Sequence, residues 1–511
     1  MLKHLASVGG FTLLSRLTGF INSIVLADVL GAGKLADAFF VAFRIPNHFR
    51  AIFAEGAFNA AYVPAYTQLK TQQGDRAAGL FASQIFTLLL VSQLVMLALA
   101  WLFTPQLLGL LAPGYAADPE KFGLAVNMTR ITFPYLLCMV LVTLHSGTLN
   151  ANRHFAVAAF APVLLNLTMI GFLALAFLFP DAGIAASIGI TVSGFLQLAM
   201  LMLAARRAGV LERLAWPRWS ADTSGFFRRL LPAVIGSAGT QIAIFADTII
   251  ASTLPEGAQS SINYADRLYQ LPIGMLGVAA GTVLLPEMSR RLAGGDAAGA
   301  SLAQNRTLAL TIALTAPFAV AFVGLPQLIL EAAFVRGKYS VADAAASGAV
   351  LWAYGLGLMA AVCIRSVVAS FQSRGDLRTP MVVSLLAVAI NLALKIGLTG
   401  PFGAPGLALA TAAGFWINFG LLAMLAWRAG FLRLDRALLA PLACTGNASL
   451  FLMLVVLWAD DRIALWTAPL GPWAALAHLG SVGMAGSIVY FGLMAGQMKL
   501  LGLPLRLWGK T

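Results

Sequence analysis

Three arginines, Arg16, Arg50 and Arg267, lie in stretches of the chain that are otherwise apolar enough to enter a bilayer. Arg16 sits inside GGFTLLSRLTGF, about ten residues from either end of its run, too deep for its stem to reach water easily. An ionised side chain near the centre of a bilayer costs at least about 2.5–3.5 kcal/mol. Such residues persist where they face a water-filled cavity, a ligand or one another. The guanidinium group is planar, permanently charged and forked, so it suits phosphate oxygens. Several of them in one cavity point to a phosphorylated ligand. Residues 31–66 carry Asp37, Arg44, Arg50 and Glu55 around Pro46, and Asn47 precedes Arg50 by about one helical turn, so both face one way. Later, SSINYADRLYQLPIGMLG places Asp266 and Arg267 just before Pro272. The expected site is Arg16, Arg50 and Arg267 converging from two halves, with Asn47, Asp37, Glu55 and Asp266 orienting or balancing them. The competing arrangement is arginine–aspartate salt bridging with no ligand.

The elements that must position these groups are membrane helices. Of 511 residues, 60% are hydrophobic and 10% charged, against about 25% charged in a soluble domain. Apolar runs of about 20 residues specify helical spans rather than a barrel. Arg16 interrupts the first run and no A-x-A site follows, so that run reads as a retained first span. Cys138, Cys363 and Cys444 are scattered, which argues against a disulfide framework, and no Cys/His spacing suggests a metal. The net charge of +13 is assigned to loops facing an anionic membrane surface, not to nucleic acid. There is no P-loop, H-E-x-x-H or nucleophile elbow, so neither an enzyme nor an ATP-driven pump is expected, and no cofactor.

The runs predict an all-α integral membrane protein of about fourteen spans. Alternate links hold Lys70, Arg76, Arg153, Arg206, Arg207, Arg290, Arg291, Arg374 and Arg428, while Asp118, Glu120, Asp181, Glu256, Asp460 and Asp461 collect in the others. That bias sets both termini in the cytoplasm. The long basic link 206–229 reads as an interfacial element, with Trp216 and Trp219 at headgroup level. It separates halves that resemble each other: GDRAAG (74–79) recurs as GDAAGA (295–300), PQLLGLL (105–111) as PQLILEA (326–332), and SGFLQLAMLMLAARRAG as AGFWINFGLLAMLAWRAG. Six spans per half is an even number, so the repeat is parallel. The register pairs Gly31 with Gly257 and Pro46 with Pro272. The predicted organisation is a six-helix lobe over 1–209, a linker over 210–228, a second six-helix lobe over 229–430, and two appended spans with a tail over 431–511.

GAGKLADAFFVAFRIPNHFRAIFAEGAFNAAYVP and YADRLYQLPIGMLGVAAGTVLLP resemble the MurJ/MviN family, bacterial lipid II flippases of the MOP exporter superfamily. The likeness spans nearly the whole chain. It implies fourteen helices in an inner membrane, two pseudo-symmetric lobes working by alternating access, and an undecaprenyl-pyrophosphate-linked glycopeptide as substrate. The family's first-span arginine falls on Arg16, its second-span aspartate on Asp37, the next arginine on Arg50, its AEGAF glutamate on Glu55 and its eighth-span arginine on Arg267. Its appended helices imply a groove for the polyprenyl tail. Two departures stand out: Asn22 and Ser23 replace an Arg-Asp found in many relatives, and Gln270 stands where relatives often carry Glu.

Some relatives hold sodium with a seventh-span aspartate and an Asn-x-x-x-Asp pair. Here Asp247 and Asn391 remain, but the second position of the pair is Lys395, so the expectation is an internal ion pair, Asp247 with Lys395, in place of sodium. The predicted function is lipid II flipping from the cytoplasmic to the periplasmic leaflet by a monomer contacting membrane lipids. The rival readings are another lipid-linked oligosaccharide flippase, a multidrug antiporter of the same superfamily, and a polytopic glycosyltransferase. A drug antiporter favours acids and aromatics over three arginines, and the outer links lack the grouped acids that a glycosyltransferase needs.

Overall fold

The computed structural model describes residues 2–54, 57–216 and 220–502, without the side chains of 2–8, 49–54, 57, 221, 233, 235–242, 278 and 279. The first elements are α1 (Leu2–Leu30), α2 (Lys34–Ala54), α3 (Ala57–Leu102), α4 (Thr104–Leu111), α5 (Pro119–Ala151), α6 (Phe155–Ala174), α7 (Ala182–Arg207) and α8 (Ala221–Ser252). Then follow α9 (Ala258–Pro272), α10 (Val278–Ala293), α11 (Ala297–Gly324), α12 (Pro326–Phe334), α13 (Val341–Gln372), α14 (Arg378–Arg428), α15 (Arg436–Thr467) and α16 (Ala474–Leu500). No strand pairing occurs among the described residues beyond one isolated bridge, Arg336 with Tyr339.

Short polar residues start several of these helices by accepting from otherwise unpaired first-turn N–H groups. Asp118 accepts from Lys121 N–H at 3.2 Å, Asp181 from Ile184 N–H at 2.8 Å, Asp296 from Gly299 N–H at 2.7 Å and Asp435 from Leu438 N–H at 3.1 Å. Ten helical stretches among the described residues are long and apolar enough to cross a membrane. Three of them are interrupted by glycines at positive φ, Gly74, Gly403 and Gly471, so ten is a number of stretches rather than of crossings. Val91, Leu94, Val95 and Leu99 stand exposed on α3, as a lipid-facing stripe requires.

The internal repeat reappears as repeated local structure. PQLLGLL and PQLILEA become the short helices α4 and α12, each with proline in its first turn. Gly74 and Gly295 both turn the chain at positive φ, 86° and 78°. Gly209 and Gly430 end α7 and α14 at φ 70° and 72°. Each is followed by the same six-residue back-bond, Val210 N–H to Ala205 O at 2.9 Å and Phe431 N–H to Ala426 O at 2.8 Å. Gly31 and Gly257, at φ 70° and 83°, precede α2 and α9. Pro46 and Pro272 differ in outcome: α2 runs on through Pro46, whereas α9 ends at Pro272 and widens into a π-helical turn, Ile273–Gly277.

By contact the chain forms two compact units, Met1–Ser260 with Arg336–Tyr339, and Ser261–Val335 with Ser340–Thr511. Helix α8, which opens the second repeat in sequence, packs in the first unit on α2 and α3. Sequence register and packing thus draw the boundary at different places, because Phe226 of α8 joins Phe58, Tyr62 and Phe81 in the first unit's aromatic cluster.

Proline inside a helix leaves the carbonyl four residues earlier without its N–H donor, which lipid cannot replace. Three such carbonyls receive side-chain donors from neighbouring helices. Thr132 Oγ1 donates to Ala42 O, opposite Pro46, at 3.1 Å. Trp101 Nε1 donates to Arg130 O, opposite Pro134, at 2.7 Å. Tyr490 O–H donates to Ala313 O, opposite Pro317, at 2.7 Å. Tyr490→Phe is expected to destabilise by about 1 kcal/mol. In a Pro317→Ala background, where the backbone N–H returns, the same change is expected to cost little. Thermal unfolding of the four proteins in detergent measures the coupling; equal costs in both backgrounds refute the assignment.

Candidate functional site

Asp37, only 1% exposed, is the most heavily engaged of the expected site residues. Its position near the start of α2 turns its carboxylate to the first turn of α9. Oδ1 accepts from the Ser260 N–H at 2.9 Å and the Ser260 hydroxyl at 2.6 Å. Oδ2 accepts from the Gly257 N–H at 2.9 Å and from Lys121 Nζ of α5 at 2.7 Å. Lys121 Nζ also lies 4.3 Å from the Tyr115 ring centroid, while Tyr115 O–H donates to the Asp37 carbonyl at 3.2 Å. Gly257 is required here: besides its positive φ, a Cβ would stand 2.7 Å from Ala32 O. All these groups belong to the first unit.

Beside it lies a second, exposed cluster built from the acids that sequence places in alternate links. Lys34 Nζ meets Asp118 at 3.0 Å and Glu120 at 3.1 Å, and its backbone N–H donates to Glu256 at 3.0 Å. Hydrogen bonds to Asp118 and then Glu120 push the Lys34 ammonium up to about 12. Lys34, and next the Lys121 N–H, hold the Asp118 carboxyl below the usual carboxylate range.

The other expected residues are placed as follows. Arg16 is exposed on α1, and its turn is fixed by α6, where Asn166 Nδ2 donates to Ser15 O at 3.1 Å and Thr18 Oγ1 at 3.2 Å. Asn47 is half-buried on α2. Glu55 lies outside the described residues, as does the side chain of Arg50. Asp266 is half-buried and Arg267 exposed on α9. Gln270, one turn later, donates its amide to Asp266 at 3.3 Å, a donor that glutamate could not supply when ionised. Asp247 is half-buried on α8 in the first unit, and Lys395 is buried on α14 in the second. The Asn391 amide donates to Ala410 O at 2.7 Å, joining the two segments of α14.

Arg44 was not among the expected ligand-binding residues, yet it is half-buried with Nη1 enclosed and without a hydrogen-bond partner. A guanidinium N–H so placed is an open donor for an anion. The signal was its position two turns after Asp37, on the same face of α2.

In the second unit an apolar cavity of about 360 Å³ opens among α11, α15 and α16, beside the π-helical turn. Leu276, Pro317, Phe318, Leu452, Val482 and Phe491 are among its walls. It lacks any charged lining side chain and is suited to a hydrocarbon chain.

The fold is a multi-helix one that this chain shares with solved membrane transporters. A structure titled as an inward-facing multidrug resistance MATE transporter of the MOP superfamily superposes with TM-score 0.69 at 14% identity, covering 83% of this chain and 98% of its own. One titled "Lipid II flippase MurJ, inward closed conformation" superposes with TM-score 0.80 at 22% identity, covering 97% of this chain and 99% of its own. The family model described as "Lipid II flippase MurJ" matches residues 26–470. Among curated relatives, "Probable lipid II flippase MurJ" of Rhizobium meliloti (strain 1021) is 39% identical over 98% of this chain and 95% of its own. "Lipid II flippase MurJ" of Burkholderia cenocepacia is 33% identical over 83% of each. The chain belongs to the MurJ family of lipid II flippases.

Asp37→Ala is expected to destabilise the first unit by about 3–5 kcal/mol, because it strands the Lys121 ammonium and the α9 N–H groups. Asp37→Asn should lose less, since one oxygen still accepts. Wild-type thermal stability in both variants would show that the cluster carries no weight.

The exposed cluster sets a pH window. Lys34 is raised in the folded state, so its contribution is complete below about 10.5 and is lost as pH rises towards about 12. Asp118 is lowered, so its contribution is present above about 3.8 and is lost as pH falls through its folded value. Lys34→Ala is therefore expected to lower the melting temperature by a constant amount between pH 5 and 9, and by less above pH 11. Melting curves across that range check it.

Proposed function

We propose that this chain flips lipid II, a polyprenyl-pyrophosphate-linked glycopeptide, from the cytoplasmic to the periplasmic leaflet of a bacterial inner membrane. Arg16, Arg50 and Arg267 hold the pyrophosphate, joined by Arg44, whose enclosed Nη1 awaits an acceptor. Asn47, Glu55 and Asp266 orient or balance them, and Asp37 serves the site by fixing the start of α9 against α2 and α5. The headgroup passes by alternating access while the tail stays in hydrocarbon, using the apolar cavity of α11, α15 and α16. The protein works as a monomer with fourteen crossings and both termini in the cytoplasm. No covalent step is required, and energy comes from an ion gradient, the membrane potential or consumption of the product.

The observation that carries this reading over a drug antiporter is that cavity together with the helices that build it. The MATE structure covers 83% of this chain and the MurJ structure 97%. A tail in hydrocarbon has a use for those helices; a soluble drug does not.

In a strain depleted of its own flippase, lipid II is expected to accumulate in the inner leaflet and to be cleared by this protein. Accumulation of a different lipid-linked glycan would replace the substrate. Arg16→Ala, Arg44→Ala, Arg50→Ala and Arg267→Ala should each reduce flipping about 10- to 100-fold at normal abundance, the loss of one or two charge-assisted hydrogen bonds. Lysine should rescue partly, since a fork becomes a point charge. Unimpaired growth of all four alanine variants would remove the arginine site.

A further inference from the structure

The chain between α7 and α8 was expected to lie at the membrane interface. Its first part, residues 210–216, has no regular secondary structure and is strapped onto the first unit. The Arg213 N–H donates to Ser83 Oγ of α3 at 3.1 Å, and the Ala215 N–H to Thr87 Oγ1 at 3.0 Å. Between Leu211 and Arg213 the Glu212 side chain turns inward and is fully buried. It meets His145 Nδ1 of α5 at 2.7 Å and accepts from the Thr148 hydroxyl, which is itself paired with Tyr62 O–H at 2.8 Å. His145 and Thr148 thus face the carboxylate directly, and Tyr62 stands behind Thr148. His145 Nε2 is buried without a partner, which suits a neutral ring that donates from Nδ1 and leaves Nε2 unprotonated. Leu214 and Trp216 are turned outward and exposed.

The second repeat contains a strap at the equivalent place, without a fully buried carboxylate. After Gly430, the equivalent of Gly209, Asn305 Nδ2 of α11 donates to Arg433 O at 2.7 Å and Asp435 Oδ1 at 3.0 Å, and Ser301 Oγ to Phe431 O at 3.5 Å. Arg433 occupies the register of Glu212, and its side chain is exposed. The fold therefore needs a strap at this point but not a buried carboxylate, which carries a desolvation penalty that a neutral amide avoids. What differs is the helix that follows. The second strap leads into α15. The first leads into α8, which belongs to the second repeat in sequence yet packs on α2 and α3, with Phe226 near its start in the first unit's aromatic cluster and Phe245 against His48, ring centroids 4.8 Å apart.

We propose that the Glu212–His145 pair is a permanent anchor that keeps the inner end of α8 on the first unit throughout transport. Glu212 and His145 are then positioning residues: they touch no substrate, and they fix α8 beside the helix that carries Asn47 and Arg50. The inference rests on the flippase reading only for its activity readout.

The three native cysteines are buried, so an introduced Cys at 215 reports on the strap alone. Ala215→Cys is expected to label slowly with a water-soluble maleimide, and at least tenfold faster when combined with Glu212→Ala or His145→Ala. His145→Asn, which restores a donor near Nδ1, should slow labelling again. Glu212→Ala should lose most lipid II flipping, and a thiol cross-link between Thr87→Cys and Ala215→Cys should restore it, while leaving the otherwise wild-type protein active. If Glu212→Ala fails to accumulate in the membrane, cross-linked protein is expected to regain abundance. Unchanged labelling, failure to cross-link, full activity of Glu212→Ala, absence of rescue, or inactivation of the otherwise wild-type protein by the cross-link would each overturn the anchor. Failure of the otherwise wild-type, uncrosslinked protein to flip lipid II would instead overturn the substrate reading, and the labelling arm would still decide the anchor.

Discussion

A carboxylate removed from water needs donors on both oxygens, and Asp37 obtains four from three residues on two separate pieces of chain. The first turn of α9 contributes the N–H groups that any helix start leaves unpaired, and α5 contributes the only full charge. Each partner is itself a group that could not be buried alone, so the cluster is stable as a set and costly in part. Gly31 and Gly257 exist to let the chain approach closely enough for the set to close. The geometry of α2 follows from it, and α2 carries two of the four arginines assigned to the pyrophosphate.

Two kinds of information were legible in the sequence. Hydropathy and the Lys/Arg bias specified an all-helical membrane protein, and the repeated motifs foretold the paired short helices α4 and α12 and the paired glycine turns. Three of the acids in alternate links, Asp118, Glu120 and Glu256, meet at Lys34, which their spacing did not announce. What the sequence did not carry was partner identity over long separations. Nothing near Asp37 announces Lys121 or Ser260, because a buried carboxylate and a cavity carboxylate look alike when only neighbours in the chain are known. Arg44 was overlooked for the same reason: its importance lies in an enclosed nitrogen, which is a property of packing. The link after α7 reads as amphipathic and basic, and only the structure shows Glu212 turned away from the bases around it.

The two halves illustrate how a duplicated frame specialises. Both retain the glycine that ends α7 or α14 and a strap that follows, which are backbone solutions indifferent to side-chain chemistry. They diverge where side chains meet: a buried acid and imidazole in one strap, an amide on a backbone carbonyl and a half-buried aspartate in the other. The first unit buries the Asp37–Lys121 pair, and the second holds the apolar cavity of α11, α15 and α16. A substrate with a charged head and a hydrocarbon tail calls for that division.

Tyr490 draws a consequence from the proline opposite it. Ala313 O loses its donor to Pro317, a residue of the six-helix frame, and regains one from α16, which the other half of the frame does not possess. In hydrocarbon there is no solvent to act as understudy. The proline in α11 and the last helix are therefore mutually dependent, and a lineage acquiring one without the other would have carried a naked carbonyl through the bilayer. The final helix pair is thus no accessory clipped to a finished transporter. It is sutured into the frame at the frame's own flaw, next to the dry cavity it helps enclose.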